Sequence, residues 1–409
     1  MAILFISEYY KPAIMGGGEI NLALVAETLA KLGKEVVVLT SYQPGLKKSE
    51  IIMGVRIYRN LTTGRNPHLI IQNWKRSLFF PKSIVKEVKK ICRTKKFDLI
   101  HFIGASVIAA KDLAPLKIPL FATIESYPAL CPKGDRMYNG KAECPFVCSF
   151  NKFRKCQRKS SEIGKMKHKW YLKYNPLFCN YLYNYYRKLN TALKYCRLIA
   201  ISNYVKDLLE KQGLESVTIF NAFDFSEKTT KKNKIKNNPP KILYLGSLTN
   251  FKGPQILLQA LKGLPYRCDL YGEGPLKNEL NQYIIKNNLN AAINNPVPPE
   301  KLKELYLRYD LVVYPSLWPE PFGRIPIEAL SKEIPILASK IGAISETVQS
   351  NPFLFEPGNI LQLNQKIKEI LNPREKIGFK LKILRDNYSK ENIIRKLLVV
   401  YQNNIKDYA

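Results

Sequence analysis

The sequence predicts an α/β protein made of two doubly wound, parallel-sheet domains in tandem. Three observations point there. The chain has 409 residues, more than one hydrophobic core organises, and 46% of them are hydrophobic, enough for a core in each of two domains. Short apolar runs alternate with segments of helical spacing, the signature of strands covered on both faces by helices. That alternation stops at a polar stretch after about residue 227 and then starts again.

In order, Ala2–Ile6 is an apolar run, followed by the glycines 16–18, a helical pattern from Ile20 to Leu32, and a second strand at Val36–Thr40. Strand, glycine turn, helix and strand make a βαβ unit. Asp98–Phe102 and Leu120–Ile124 continue the series, and Leu198–Ser202 and Val217–Phe220 close it. The first domain is therefore assigned to residues 1–227, with an insertion at about 126–196. Lys228–Lys241 is polar, basic and proline-ended, as an exposed connection is. The second domain, 241–388, has strands at Ile242–Gly246, Cys268–Gly272, Leu311–Tyr314 and Ile334–Ala338, with helices at Ile256–Leu261 and Leu302–Tyr306. In the last segment, 389–409, Ile393, Ile394, Leu397, Leu398 and Tyr401 share a helical face expected to pack back across the domains.

The chain carries 65 Lys and Arg against 33 Asp and Glu, a net charge of +32, so it is expected to meet a polyanion: a lipid surface, a nucleic acid or a phosphorylated substrate. The excess is uneven. Residues 151–200 hold 13 Lys or Arg and one acid, Glu162, interleaved with Trp170, Tyr171, Tyr174, Phe178, Tyr181, Tyr183, Tyr185 and Tyr186. Basic residues among interfacial aromatics read as an anionic membrane surface. No apolar run is long enough to span a bilayer, and the first residues lack the basic region and cleavage site of a signal peptide. The expected location is cytoplasmic, peripheral on the inner face of the membrane.

Four of the eight cysteines, Cys131, Cys144, Cys148 and Cys156, fall within 26 positions. Their spacing lacks the paired Cys-x2-Cys of a zinc ribbon, so unligated thiols or a disulfide are favoured over zinc, which stays open, and less than one equivalent of bound zinc is expected.

The most informative stretch is Glu320-Pro321-Phe322-Gly323-Arg324-Ile325-Pro326-Ile327-Glu328. Gly323 permits close backbone approach to a ligand, and the apolar run after it reads as a buried helix whose N-terminus attracts a phosphate. Glu328, further into that helix, is placed to accept hydrogen bonds from ribose hydroxyls, and Glu320 faces the other end of the ligand. In open α/β sheets ligands sit beyond the carboxyl ends of the strands, so the loops after Gly246, Gly272 and Tyr314 are expected to converge. Lys252, just before Gly253, is the candidate cation for a leaving diphosphate.

This Glu-x7-Glu pattern resembles the retaining, nucleotide-sugar-dependent glycosyltransferases of family 4, group 1. Four further elements match in family order over roughly residues 1 to 350: Gly16-Gly17-Gly18-Glu19, Asn221-Ala222-Phe223-Asp224, the Gly246–Gly253 loop and Gly272-Glu273-Gly274-Pro275. The resemblance implies the GT-B fold, two Rossmann-like domains facing a central cleft. It implies a nucleotide diphosphate sugar as co-substrate, with Glu328 on the ribose and Glu320 on the transferred sugar. Gly16, Gly17, Gly18, Gly246, Ser247, Lys252, Gly272, Glu273, Gly274, Phe322, Gly323 and Arg324 are the other substrate-binding candidates. Retention would need the leaving phosphate, held by Lys252 and amides, to help receive the acceptor proton.

The chain departs from the family twice. Ser247 stands where many members have an arginine, and Arg324 is expected to supply the missing charge. Glu125 stands where many have a histidine, and is the candidate to orient or deprotonate an acceptor hydroxyl; His101 is the other candidate, a buried structural histidine being the alternative. No Asp-x-Asp pair occurs, so neither metal nor cofactor is expected. The acceptor class suggested is a lipid-linked molecule or a glycan. A nucleic-acid-binding protein and a non-catalytic, membrane-binding relative of the family are the rival readings; concentration of charge in one insertion weighs against the first.

Overall fold

The computed structural model describes residues 1–14, 16–63, 70–140, 142–160, 170–225, 238–298, 301–348, 353–371 and 381–406. Of the expected basic connection Lys228–Lys241, residues 228–237 lie outside the described residues, as do residues 161–169 of the basic segment 151–200. The chain forms two units, Met1–Asp224 with Asn387–Ala409, and Phe225–Asp386.

The strands of the first unit are β1 (Ala2–Ile6), β2 (Glu35–Ser41), β3 (Ser49–Ile52), β4 (Val55–Leu61), β5 (Leu99–Ile103), β6 (Leu120–Ile124), a small pair β7 (Met137–Tyr138) and β8 (Ala142–Glu143), β9 (Arg197–Ala200) and β10 (Ser216–Thr218). Apart from β7 and β8 they form one sheet in the order β10-β9-β6-β5-β1-β2-β4-β3. Every neighbouring pair is parallel except β3 with β4. Strand order reverses at β1, so the loops after β1 and β5 part there, as in a doubly wound sheet. Helix Gly17–Lys31 lays Leu22, Val25, Ala26 and Leu29 onto the sheet, the spacing that puts side chains on one face of a helix.

The C-terminal helix, Lys390–Lys406, returns to this unit, where Ile393, Ile394, Leu397 and Tyr401 join its core. The Asn221–Asp224 element explains how it is received. The backbone N–H of Ala222 donates to Asn21 Oδ1 at 2.8 Å, Phe223 N–H donates to Tyr388 O at 2.8 Å, and Lys390 N–H donates to Phe223 O at 2.9 Å. Ala222 is fully buried there, so a small side chain is required.

The insertion holds β7, β8 and helices at Phe150–Lys159, Trp170–Tyr174 and Pro176–Leu193. Asn175 caps the last of these through the N–H of Phe178 at 3.0 Å. Two of the tyrosines expected to face a membrane pack within the insertion instead. Tyr186 is buried, and the Tyr183 ring lies 5.2 Å from Phe150 and 5.7 Å from Tyr186, so apolar packing claims them.

The second unit has β11 (Lys241–Leu245), β12 (Arg267–Tyr271), β13 (Ala291–Asn294), β14 (Leu311–Tyr314), β15 (Ile336–Ser339) and β16 (Leu354–Phe355). Its sheet runs β13-β12-β11-β14-β15-β16, all parallel. Strand order reverses between β11 and β14, and that is where the glycine loops lie.

Candidate active site

Three glycines join the loops of the second unit by close backbone contact. A Cβ on Gly253 would stand 1.9 Å from Pro315 O, one on Gly272 would stand 1.9 Å from Gly246 O, and one on Gly274 would stand 2.4 Å from Leu248 O. The loops after β11, β12 and β14 therefore touch through backbone alone. The expected convergence is present. The carbonyl of Glu273 accepts from Leu248 N–H at 2.9 Å, while its carboxylate is solvent-exposed and pairs with Lys277 at 2.9 Å. Glu273 thus braces the loop through its backbone.

Lys252 and Glu320 meet where these loops meet. Lys252 Nζ lies 2.5 Å from Glu320 Oε1, which also accepts from the hydroxyls of Tyr314 at 2.7 Å and Ser316 at 3.0 Å. Glu320 is nearly sealed from solvent at 5% exposure, whereas Lys252 remains accessible, lying 4.6 Å over the Trp318 ring. Burial, and then the Glu320 charge, push the Tyr314 phenol well above its usual range, so it stays a donor. From the other side, Gly342 receives Glu320: a Cβ there would stand 2.5 Å from Glu320 O, and Ala343 N–H donates to the same carbonyl at 2.8 Å.

Gly323 adopts φ +84°, a left-handed conformation that suits glycine, and begins helix Arg324–Ser331. Phe322 is buried beneath that turn. On the first turns Arg324 Nε is 3.5 Å from Glu328 Oε1, and the Tyr306 hydroxyl donates to Glu328 Oε2 at 3.1 Å. Arg324 and Glu328 thus form an i,i+4 pair that stays partly accessible, with Tyr306 behind it. Ser247 is exposed on the loop after β11, and its carbonyl accepts from Tyr244 OH at 2.9 Å.

In the first unit Gly18 and Glu125 come together. A Cβ on Gly18 would stand 1.8 Å from Glu125 Oε2, so the carboxylate after β6 rests against the glycine turn after β1. Gly16 is extended and precedes the helix that starts at Gly17; a Cβ on Gly16 would stand 3.6 Å from Glu19 Oε2, and burial raises the pKa of Glu19. Beside this turn, Glu8 accepts from Thr63 Oγ1 and is ion-paired with Arg76, a buried cluster that sequence reading missed although an acid directly after the first strand of such a sheet is a usable signal.

His101 does not reach this loop region. It lies in mid-strand at 2% exposure, with Nδ1 2.5 Å from Tyr401 OH and Nε2 2.8 Å from Thr123 Oγ1. Burial lowers its pKa to about 3, so it is neutral and structural, and its candidacy as a catalytic base is withdrawn. Among the described residues no group of three His, Cys, Asp or Glu side chains is arranged to hold a metal ion, and no helix is long and apolar enough to cross a membrane.

Residues 15–227 match the model of Glycosyltransferase Family 4, and residues 225–391 match that of Glycosyl transferases group 1. An uncharacterized glycosyltransferase of Methanocaldococcus jannaschii is 25% identical over 98% of this chain and 98% of its own. Among solved structures, the Anabaena HepE protein in complex with UDP superposes with a TM-score of 0.67 at 18% identity over 98% of this chain and 100% of that one. Sucrose-phosphate synthase from Thermosynechococcus elongatus gives 0.73 at 18% identity over 99% of each chain. These structural likenesses establish the shared fold, GT-B.

Proposed function

Because the chain belongs to glycosyltransferase family 4 and transfers sugar from a nucleotide sugar, we propose that it moves a hexose from a nucleotide diphosphate sugar with retention of anomeric configuration. The observation that carries this reading is the accessible Lys252 held by a buried Glu320 at the strand-order reversal of the second unit. Negative charge grows on the diphosphate as the glycosidic bond breaks, and a fixed cation stabilises that charge more in the transition state than in the ground state. Lys252 supplies the cation. Glu320, already fixed by Tyr314 and Ser316, accepts hydrogen bonds from hydroxyls of the transferring sugar. The amides at the start of helix Arg324–Ser331, together with Arg324, receive phosphate, and Glu328 receives the ribose. With no Asp-x-Asp pair in the chain, these groups do the work of a divalent ion. Retention follows if the leaving phosphate takes the acceptor proton on the face it departs from. Glu125, against Gly18, is the residue of the first unit assigned to the acceptor hydroxyl.

The acceptor is assigned to an anionic membrane face, which fits a chain that works at the cytoplasmic surface. Helix Ile70–Thr94 exposes Trp74 at 57%, with Leu78 and Phe79, among Lys75, Lys82 and Lys86. Leu177, 80% exposed, and Tyr174 lie at the start of the helical pair that Tyr181 ties to it through Asn73 O at 3.2 Å. Apolar and aromatic groups within a lysine fringe match the headgroup region of a bilayer.

The test is incubation of purified protein with UDP-, GDP- and ADP-sugars and membrane extract, with products read by mass spectrometry and the new linkage by NMR. UDP-sugars come first, since the Anabaena protein was also solved with UDP-glucose. Transfer with the donor's anomeric configuration is expected; inversion, or no transfer from any donor, overturns the reading.

A further inference from the structure

We propose that a cleft at the carboxyl ends of β2 and β4 is a carbohydrate subsite, and that the acceptor is therefore an oligosaccharide of two or more sugar units rather than a single sugar or a bare lipid. The word acceptor rests on the sugar-transfer reading; binding in the cleft is tested apart from it. The cleft has a volume of about 710 Å³, and Tyr42, Asn60, Thr62, Thr63, Glu87 and Lys90 are among its lining residues. That is within the range of small-molecule sites.

Strand register makes this cleft. Between β2 and β4 the pairing steps from Thr40 with Arg59 to Ser41 with Leu61, which leaves Asn60 as an extra residue on β4. A bulge of this kind re-aims side chains. In a regular strand Arg59, Asn60 and Leu61 would point to alternate faces, whereas here all three border the cleft and Thr62 and Thr63 continue it. The walls are tied together. Asn60 Nδ2 donates to Glu87 Oε2 at 3.2 Å and Thr62 N–H donates to Ser83 Oγ at 3.1 Å, both partners lying on helix Ile70–Thr94. Arg59 belongs to the wall. Its buried guanidinium pairs with Glu50 at 2.5 Å and donates to the Lys11 carbonyl at 2.6 Å, so its charge is already matched.

The lining has the chemistry of a sugar's complement. A sugar presents hydroxyls that each donate and accept, and a ring with an apolar C–H face. Threonine hydroxyls and the Asn60 amide do both, Glu87 accepts, and the exposed Lys48 and Lys90 donate. Tyr42, 43% exposed, offers a ring to stack on. Of the lining residues Leu61 and Tyr42 alone are apolar, too few for a lipid chain, and the Glu87 carboxylate opposes the phosphates of a nucleic acid.

Position sets the length of the ligand. The cleft opens at the end of the sheet where the glycine turn follows β1, and Thr63 joins the two places, since it lines the cleft and donates to Glu8 beside that turn. Strands lie about 4.8 Å apart and β4 is two strands from β1, so the body of the cleft is about 10 Å from the glycine turn that Glu125 touches. One sugar ring does not span that. A glycan held here by its remote units presents its terminal hydroxyl at Glu125, and binding energy from the remote units positions the reacting one.

The full chain is applied to an array of mono- to hexasaccharides built from hexoses, N-acetylhexosamines and uronic acids, and the ligands found are measured by calorimetry. One or more oligosaccharides should bind, with the matching monosaccharide at least about tenfold weaker. Tyr42→Ala and Asn60→Ala should each weaken binding about tenfold, the scale of a lost contact or hydrogen bond. Circular dichroism checks that each variant is folded; Tyr42 is exposed, so its variant decides the matter if Asn60→Ala does not fold. In the transfer reaction with membrane extract, the new sugar should appear on a chain of two or more units, and Tyr42→Ala should raise the acceptor KM about tenfold with kcat unchanged. Absence of any bound oligosaccharide, equal binding by the native and Tyr42→Ala chains, or a sugar added to a single sugar or directly to a lipid overturns the proposal. Oligosaccharide binding lost in Tyr42→Ala, but without transfer from any donor, supports the cleft and sinks the sugar-transfer reading.

Discussion

Lys252 and Glu320 are ion-paired at 2.5 Å, so under the proposed roles diphosphate binding is a change of partners for the lysine. Glu320→Ala removes that competitor along with the proposed sugar contact. It is expected to lower kcat while UDP affinity by calorimetry stays level or rises. Glu328→Ala would remove the hydrogen bonds proposed to ribose in both ground and transition states, so it should raise KM by the equivalent of about 1.5–3 kcal/mol and weaken UDP binding in step. If Glu320→Ala loses UDP as severely as Glu328→Ala does, the assigned roles are exchanged or wrong. The glycines differ in the same testable way. Gly253 and Gly263 both have φ near +70°, but a Cβ on the first meets Pro315 O at 1.9 Å and on the second meets nothing within 4 Å. Gly263→Ala should cost about 1 kcal/mol in urea denaturation, the left-handed penalty alone, and Gly253→Ala several times that. Gly253, Gly272, Gly323 and both glutamates were legible in the sequence because their chemistry is local to a turn. Tyr306, Tyr314, Ser316 and Gly342 were not, since each is tied to its carboxylate only by the folded contact; Gly342 stands 22 residues from Glu320 in the chain.

At the scale of elements, the ring of His101 ties β5 to the C-terminal helix through Tyr401 and to β6 through Thr123. Its folded pKa, about 3, lies below the unfolded value near 6.5. The unfolded chain therefore binds the extra proton between these values, and stability present above pH 6.5 is lost as pH falls toward 3, by up to about 1.4 kcal/mol per pH unit. A His101→Gln variant should show a flatter pH dependence of unfolding free energy over that window; an unchanged slope would assign the acid sensitivity to other groups. Tyr401→Phe, which leaves Nδ1 buried without its hydroxyl, should destabilise by about 1–3 kcal/mol. Strands such as β1, β5 and β11 were readable as continuous apolar runs, which two-sided burial demands. The β3–β4 pair escaped notice because it lies at the sheet edge, where Val55–Leu61 alternates buried and partly exposed residues, and the four-residue β13 carries two alanines and an asparagine.

Across the whole molecule, a net charge of +32 should make the proposed attraction to anionic vesicles strongly salt-dependent, with each Lys or Arg near the surface contributing about 1 kcal/mol. Replacing Trp74, Leu78 and Leu177 by glutamate should abolish co-sedimentation with such vesicles while leaving UDP binding intact. Equal sedimentation by that variant, or tighter retention on DNA than on vesicles at matched ionic strength, would move the anionic partner elsewhere. The two-unit plan was legible because the alternation of runs restarts after the basic stretch; the ownership of the C-terminal helix was not, since an amphipathic face says that it packs without saying on what. That ownership bears on biosynthesis. The first unit is discontinuous in the chain, with the entire second unit lying between Asp224 and Asn387. A ribosome delivers Ile393, Leu397 and Tyr401 only after everything else, so the nascent first unit waits with the core face of β1 and helix Gly17–Lys31 uncovered while the second unit, complete earlier, can already fold. Because Phe223 and Tyr388 are hydrogen-bonded neighbours, the interruption leaves and re-enters at one point, so a two-residue glycine bridge replacing 225–386 should yield a first unit that closes without waiting.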